Sequence, residues 1–431
     1  MSIVAPKQDT TGEDAVYRKV ILRIVPFLML CYVIAYLDRV NVGFAKLQMS
    51  SDLGFSEAAF GLGAGLFFIG YFIFEVPSNM LLQRVGAKAW IARIMITWGI
   101  LSAGFALVSN ETAFYVLRFL LGVAEAGFYP GIILYCTFWF PASRRGRVIA
   151  MFMSAIPIAG IFGNPLSGYI MSRFDGVSGL QGWQWMFVLE AIPAVLVGVW
   201  TFFYLDNSVE SAKWLTSQEK QMVATAVAAD VSHQAHHRLR DAFSEPKVWL
   251  MCLIYFCFVM GQYALTFWMP TFVKSTGIKS ELSIGILSAI PFITALVAMN
   301  LFARSADRHR ERRWHLIVPA MMGAVGFSLA ASMSGSTLAA LLALSLAAAG
   351  VLTCAPLFWS LPTAFLGGTA AAAGIAVINS VGNLAGFASP YMIGALKDQT
   401  GSVQLPMYIL SGVLVIGAIA VYRTRKELVN H

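Results

Sequence analysis

Twelve times along this 431-residue chain an apolar run of helix length is set off from the next by a polar connection. A hydrocarbon layer roughly 30 Å thick needs about 20 such residues per helix, so the pattern specifies an all-α polytopic membrane protein with twelve transmembrane helices. The runs fall at 19–45, 58–80, 88–108, 112–139, 146–171, 184–204, 248–273, 282–303, 314–333, 337–361, 369–395 and 403–422. With 58% hydrophobic and only 12% charged residues, the chain has too little polar surface for a water-soluble fold.

Lys and Arg gather in alternate connections. Arg18, Lys19 and Arg23 precede or open the first run; Arg84 and Lys88, then Arg144, Arg145 and Arg147, then the cluster from Arg304 to Arg313, and finally Arg423, Arg425 and Lys426 follow. The intervening loops carry little or mixed charge, as in Asn110-Glu111, Lys279 with Glu281, and Lys397 with Asp398. Short basic loops stay cytoplasmic, which places both termini there. The net charge of +8 follows from this bias alone and implies no nucleic-acid partner; the bilayer is the partner it implies.

Met1 to Val16 is polar and lacks the apolar core and small-residue cleavage site of a secretory signal, so the first run is expected to stay as an anchor. Cys31, Cys136, Cys252, Cys257 and Cys354 all fall inside apolar runs, where reduced thiols serve as small apolar residues. Neither disulfides nor a zinc site is expected. One connection, Asp206 to Lys247, is long and polar. Within it Thr216-Ser217-Gln218-Glu219 has capping-box spacing before Met222 to Ala229, which predicts a surface helix. His233, His236 and His237 follow without a Cys or carboxylate cluster, so a solvated linker is expected there and no metal site.

That connection divides the chain into an N-terminal six-helix bundle at 1–205, a central cytoplasmic loop at 206–247 and a C-terminal six-helix bundle at 248–431. Laid on itself at an offset of about 224, the chain aligns Gln83-Arg84 with Asp307-Arg308. Gly160, Gly163 and Pro165 then fall within two residues of Gly382, Gly386 and Pro390. Two pseudo-symmetric bundles related by an axis along the membrane normal form the major facilitator architecture, whose site lies between the halves at mid-membrane. Asp38 falls on Gln262, while Arg118 and Glu125 fall near Leu342 and Ala349. Ionisable groups therefore belong to the first half, and hydrogen-bonding and aromatic groups to the second.

Arg118 and Glu125 lie seven residues apart in an apolar run, on one helix face. A charge at bilayer depth costs at least about 2.5–3.5 kcal/mol, so such a pair points to an interior cavity or ion path. The bland alternative is a buried ion pair that only ties helices together, though such pairs stabilise little. Asp38-Arg39 forms a second acid–arginine unit, placed at depth by the apolar continuation from Val40 to Leu47. Arginine keeps its proton and presents a planar fork to carboxylates, so Arg39 or Arg118 is the natural anchor for a substrate carboxylate. For Asp38 and Glu125, burial and a neighbouring Arg act in opposite directions, which suits proton-coupling acids. Glu75, one turn from the basic loop, is expected to be structural or gating together with Arg84, Asp307 and Arg308; Glu190 is open to either reading.

These residues also carry a resemblance. Cys31-Tyr32 through Tyr36-Leu37-Asp38-Arg39-Val40-Asn41, Glu75-Val76-Pro77-Ser78-Asn79, Arg118 through Gly122 to Glu125, and Asn379 with Asn383 resemble the anion-cation symporter family of the major facilitator superfamily. The likeness is to the bacterial phthalate, tartrate and hydroxyphenylacetate permeases and, more distantly, to galactonate symporters and sialin-type carriers. The chain departs from the superfamily's loop signature at Gln83, where an acid is usual, and carries Pro157 where sugar-acid symporters have a polar glutamine.

The resemblance implies a secondary active transporter, not an enzyme, working as a monomer in the cell inner membrane. It would import a small organic anion by proton symport with alternating access, needing no cofactor beyond the coupling proton. It also implies Arg39 as substrate anchor, Arg118 as partner of the titrating acids, and Tyr36 and Tyr71 as site residues, with Gln262, Trp359 and Asn379 supplied by the second half. An efflux antiporter of drugs or metabolites on the same fold is the alternative, which two buried arginines disfavour for cationic cargo. No metal cluster, nucleophile motif or nucleotide loop supports a membrane enzyme.

Overall fold

The computed structural model describes residues 10–231, 245–333, 335–365 and 370–424. The three linker histidines and Arg425-Lys426 lie outside the described residues.

Helices account for the apolar runs because hydrocarbon offers no partner to a backbone N–H or C=O. In chain order they are α1 (Thr10–Leu53), α2 (Glu57–Val85), α3 (Ala87–Gly104), α4 (Glu111–Glu125), α5 (Phe128–Thr137), α6 (Ala142–Met153), α7 (Ala155–Phe174), α8 (Gly182–Tyr204) and α9 (Ser217–Val231). There follow α10 (Pro246–Lys274), α11 (Glu281–His309), α12 (Arg313–Ser332), α13 (Thr337–Phe358), α14 (Ser360–Phe365), α15 (Ala370–Asn383), α16 (Ala385–Thr400) and α17 (Gln404–Tyr422). Eleven helical spans among the described residues are long and apolar enough to cross a membrane. The twelfth expected span is present in two pieces, α15 and α16. Side-chain oxygens of Ser56, Asn110, Ser280 and Ser336 cap α2, α4, α11 and α13, all at the weakly charged face.

Four spans expected to be continuous are interrupted. Three breaks lie four residues before a proline, whose ring clashes with the carbonyl there and offers it no N–H, although Pro77 and Pro165 are accommodated inside unbroken helices. Pro130 unseats Ala126, Pro157 unseats Met153, and Pro362 unseats Phe358; the helices stop at Glu125, Met153 and Phe358. At the first break Gly127 takes φ +83°, a conformation that suits glycine, and packs against Ser78. The fourth break, at Leu384, lies between Gly382 and Gly386, whose bare backbone receives the rings of Tyr255 and Phe68.

The two halves meet mainly where α2 packs on α16 and where α7 packs on α11, with α1 against α10 between them. The repeat offset pairs the second span with the eighth and the fifth with the eleventh, so it exchanges the first two of these contacts. The linker helix α9 opens with the expected capping box, Thr216 and Glu219 exchanging backbone-to-side-chain bonds of 2.7 and 3.3 Å. It docks on α1 through Lys19 and Glu219 at 2.9 Å.

Candidate functional site

At the junction of the halves lies a narrow buried cavity. Its wall is aromatic: Tyr32 and Tyr36 from α1, Phe67, Phe68 and Tyr71 from α2, Tyr129 from α5, and Tyr255 and Tyr263 from α10. Gln262, Asn379 and Asn383 add amides from the second half. Arg39 is the one charged residue in this wall among the described residues.

The Arg39 guanidinium is 5.2–5.8 Å from the ring centroids of Tyr36, Phe67 and Tyr71 and forms an ion pair with Glu125. Its Nε finds no acceptor among the described residues, which leaves a donor for a ligand. Glu125 sits in the last turn of α4, where the helix dipole disfavours a negative charge, so its ionised form depends on Arg39.

Arg118 is placed differently from the expectation. It donates through Nε to the Gly63 carbonyl and through a terminal nitrogen to the Ala64 carbonyl, both at 3.3 Å, and does not line the cavity. Glycines explain the geometry. The backbones of α2 and α4 touch at Gly70 and Gly122, and this approach brings the buried guanidinium onto α2 carbonyls. The acid's ion-pair partner is Arg39, eighty-six residues away, while Arg118, seven away, attracts it without bonding to it.

Asp38 turns away from the cavity into the first half. Trp98 Nε1 donates to it at 2.6 Å, Ser102 Oγ at 3.0 Å and Asn41 Nδ2 at 3.4 Å. Across the halves, Gln262 Nε2 donates to the Tyr36 hydroxyl at 2.8 Å, and Asn379 Nδ2 to Glu75 at 3.1 Å.

Access is unequal. Toward the weakly charged face the halves are shut: Lys46 and Lys397 both grip Glu57, and Asp398 accepts from the backbone N–H groups of Glu57 and Ala58 at 2.9 and 2.7 Å. Gly43 on the Phe267 carbonyl and Gly61 on the Pro390 carbonyl allow backbone contact there. Toward the basic face a second hollow, lined by Glu75, Asn79, Pro130, Ile133, Trp359 and Ser380, shares Tyr129 and Asn379 with the central cavity. The central cavity therefore adjoins a hollow on that side alone among the described residues.

A buried polar cavity between two helical halves, closed at one face, matches what the chain is similar to. Residues 28–390 match the Major Facilitator Superfamily. The chain belongs to that superfamily. It is 50% identical over 421 residues to a putative metabolite transport protein of Pseudomonas putida, covering 97% of this chain and 96% of the relative. It is 50% identical over 409 residues to a putative tartrate transporter of Agrobacterium vitis, covering 94% of each. A quinolone resistance transporter of Acinetobacter baumannii is 42% identical over 413 residues, with 95% of each covered. A solved D-xylose-proton symporter has the same fold, with TM-score 0.75 at 17% identity over 95% of this chain and 99% of that one.

The protein is thus a multi-pass membrane transporter, of the inner membrane where the cell is bacterial. Of the expected site residues of this facilitator, Tyr36, Arg39, Tyr71, Gln262 and Asn379 line one cavity, while Trp359 stands in the hollow leading to it. Glu75 joins the halves beside that hollow. Arg84 and Arg308 are exposed at the basic face, and Asp307 pairs there with Arg312 at 2.6 Å, all away from the cavity. Sequence reasoning gave no site role to Tyr129, Tyr255 or Tyr263. Pro130 next to Tyr129 marks helix irregularity, but nothing in the local sequence distinguishes a cavity tyrosine from a packing one.

Proposed function

We propose that this transporter imports a compact organic anion, an aromatic or hydroxylated carboxylate, by symport with protons. The observation that carries the reading is that Arg39 faces the cavity and is also the partner of Glu125. A substrate carboxylate and the Glu125 carboxylate compete for one guanidinium. When the substrate takes it, Glu125 is left buried without its ion-pair partner and takes up a proton, because a buried carboxylate that has lost its bonded cation is costly to keep. Anion and proton then occupy the site together and leave together, which is symport. The tyrosine-rich wall suits a flat ring or a hydroxylated chain, and the tartrate carriers among the relatives support an organic anion. One chain encloses the whole path, so a monomer suffices.

Efflux is the second reading, favoured by the quinolone resistance relative. Uptake of radiolabelled tartrate and of labelled benzoate-type acids into proteoliposomes separates the two. Accumulation under an inward proton gradient, absent without it and absent for Arg39→Gln, is the expected outcome. Expulsion coupled to an opposed gradient supports efflux, and failure to move any carboxylate removes the proposal.

A further inference from the structure

A second buried carboxyl lies outside the central site. Glu190 on α8 is 1% exposed, and Ser167 Oγ of α7 donates to its Oε1 at 2.7 Å. Its Oε2 has no hydrogen-bond partner among the described residues, and neither has the Oδ1 of Asn41 on α1. Asn41 and Asp38 both face this carboxyl, and Asn41 donates to Asp38 at 3.4 Å, so one amide stands between two acids.

The charges around Glu190 offer no compensation. From α1 the titratable group that faces it is Asp38, of the same sign, while Arg39 next in the chain is engaged by Glu125. From α7 the titratable group beside it is the phenol of half-exposed Tyr169, which lines the same apolar groove, and the polar neighbour is Ser167. The α3 residues at this cluster, Trp98 and Ser102, are neutral and donate to Asp38. Two buried acids whose charges repel, with no cation bonded to either among the described residues, are not both ionised at ordinary cost. A proton on Glu190 supplies the donor that its Oε2 and the Asn41 Oδ1 lack.

Depth gives the arrangement a direction. Glu190 stands eight residues, about 12 Å, into α8 from its weakly charged end at Gly182. Asp38 stands fifteen residues, roughly 22 Å, from the matching end of α1 at Leu53. Glu190 therefore lies between Asp38 and that face, and Asn41 lies on the side of Asp38 toward Glu190.

We infer that Glu190 is a further proton-carrying residue, which exchanges a proton with Asp38 across Asn41 and links the first half's acid to the weakly charged face, separately from the Arg39–Glu125 pair. The step is a direct proton transfer between two carboxyls that Asn41 positions while its amide keeps its own protons: one O–H breaks, one forms, and the cluster's charge is unchanged. This inference rests on the symport reading.

Two measurements test it. Infrared difference spectra of the purified protein on acidification are expected to show a carboxylic C=O band that is lost in Glu190→Gln and shifted in Glu190→Asp. A spectrum unchanged by both substitutions overturns the inference, whatever is transported. In proteoliposomes Glu190→Gln is expected to shift the dependence of uptake on pH at the weakly charged face and to lower the protons moved per anion, while anion exchange at equal pH persists and Glu190→Asp restores the profile. If wild type is proton-driven and Glu190→Gln keeps its pH profile and reversal potential, this inference alone fails. If wild-type uptake ignores the proton gradient, the symport reading fails instead.

Discussion

Arg39 on α1 and Glu125 at the end of α4 hold each other in a buried ion pair, with side chains 8% and 3% exposed, and of the two only Arg39 faces the cavity. A pair built this way is a switch as much as a brace. Whatever negative group enters the cavity draws on the same guanidinium.

Replacing Glu125 with Gln removes the competitor while keeping the shape. Anion affinity is expected to hold or rise and to lose its dependence on pH, since no carboxylate remains to be displaced. Proton-driven accumulation is expected to disappear, and exchange of preloaded anion to continue. Gradient-driven uptake compared with counterflow in the same vesicles decides it, and normal accumulation by Glu125→Gln removes that residue from the coupling.

The two buried arginines separate by what they touch. Arg39→Gln takes away the cavity's charge and is expected to weaken anion binding by ~2 kcal/mol or more, at least about thirtyfold. Arg118→Gln takes a charged donor from two α2 carbonyls that keep their helical N–H partners, at a cost of about 1.5–3 kcal/mol of stability. It is expected to lower the melting temperature more than the affinity. Scintillation-proximity binding and thermal unfolding of both variants check the contrast, and equal loss of binding in the two contradicts it.

How far the sequence discloses this arrangement depends on the residue. The spans, the polar linker and the helix at its capping box follow from apolar run length and local hydrogen-bonding chemistry, which are properties of the chain itself. The convergence of Arg39, Tyr36, Tyr71, Gln262 and Asn379 is legible only through family resemblance and the repeat, not through local pattern. The exchange of partners between Arg118 and Arg39 was hidden, because it depends on how closely α2 and α4 approach through Gly70 and Gly122. The break after Glu125 was available in principle, since Pro130 stands four residues beyond Ala126. A run judged by apolarity alone conceals it.

Glycine contacts make a prediction about stability. A methyl group at Gly122 would stand 2.0 Å from the Phe67 carbonyl oxygen, and backbone cannot yield as a side chain does. At Gly163 the nearest atom is Leu37 Cγ at 3.6 Å, an ordinary contact. Gly122→Ala is expected to cost ~1–3 kcal/mol or more and to lower the melting temperature sharply, with Gly163→Ala near wild type. A tolerant Gly122→Ala would mean that α2 and α4 separate easily, and Arg118 would then not be fixed on α2.

The closed face supplies the last test. Glu57 at the start of α2 holds Lys46 of its own half and Lys397 of the other, while Asp398 caps the α2 N-terminus, where a negative charge is favoured. Lys46 is buried and lies 4.0 Å from the Trp268 ring centroid across the halves, so its charge is shielded from salt while Glu57, Lys397 and Asp398 stay at least partly exposed. If transport alternates between faces, α2 and α16 must part here once per cycle. Cysteines at positions 57 and 397, with the five native cysteines replaced, are within reach of a short bifunctional thiol reagent. Cross-linking through a cleavable spacer is expected to stop uptake, and cleavage to restore it. Full transport by the cross-linked protein would place the moving contact elsewhere, leaving the α7–α11 seam as the one that must open.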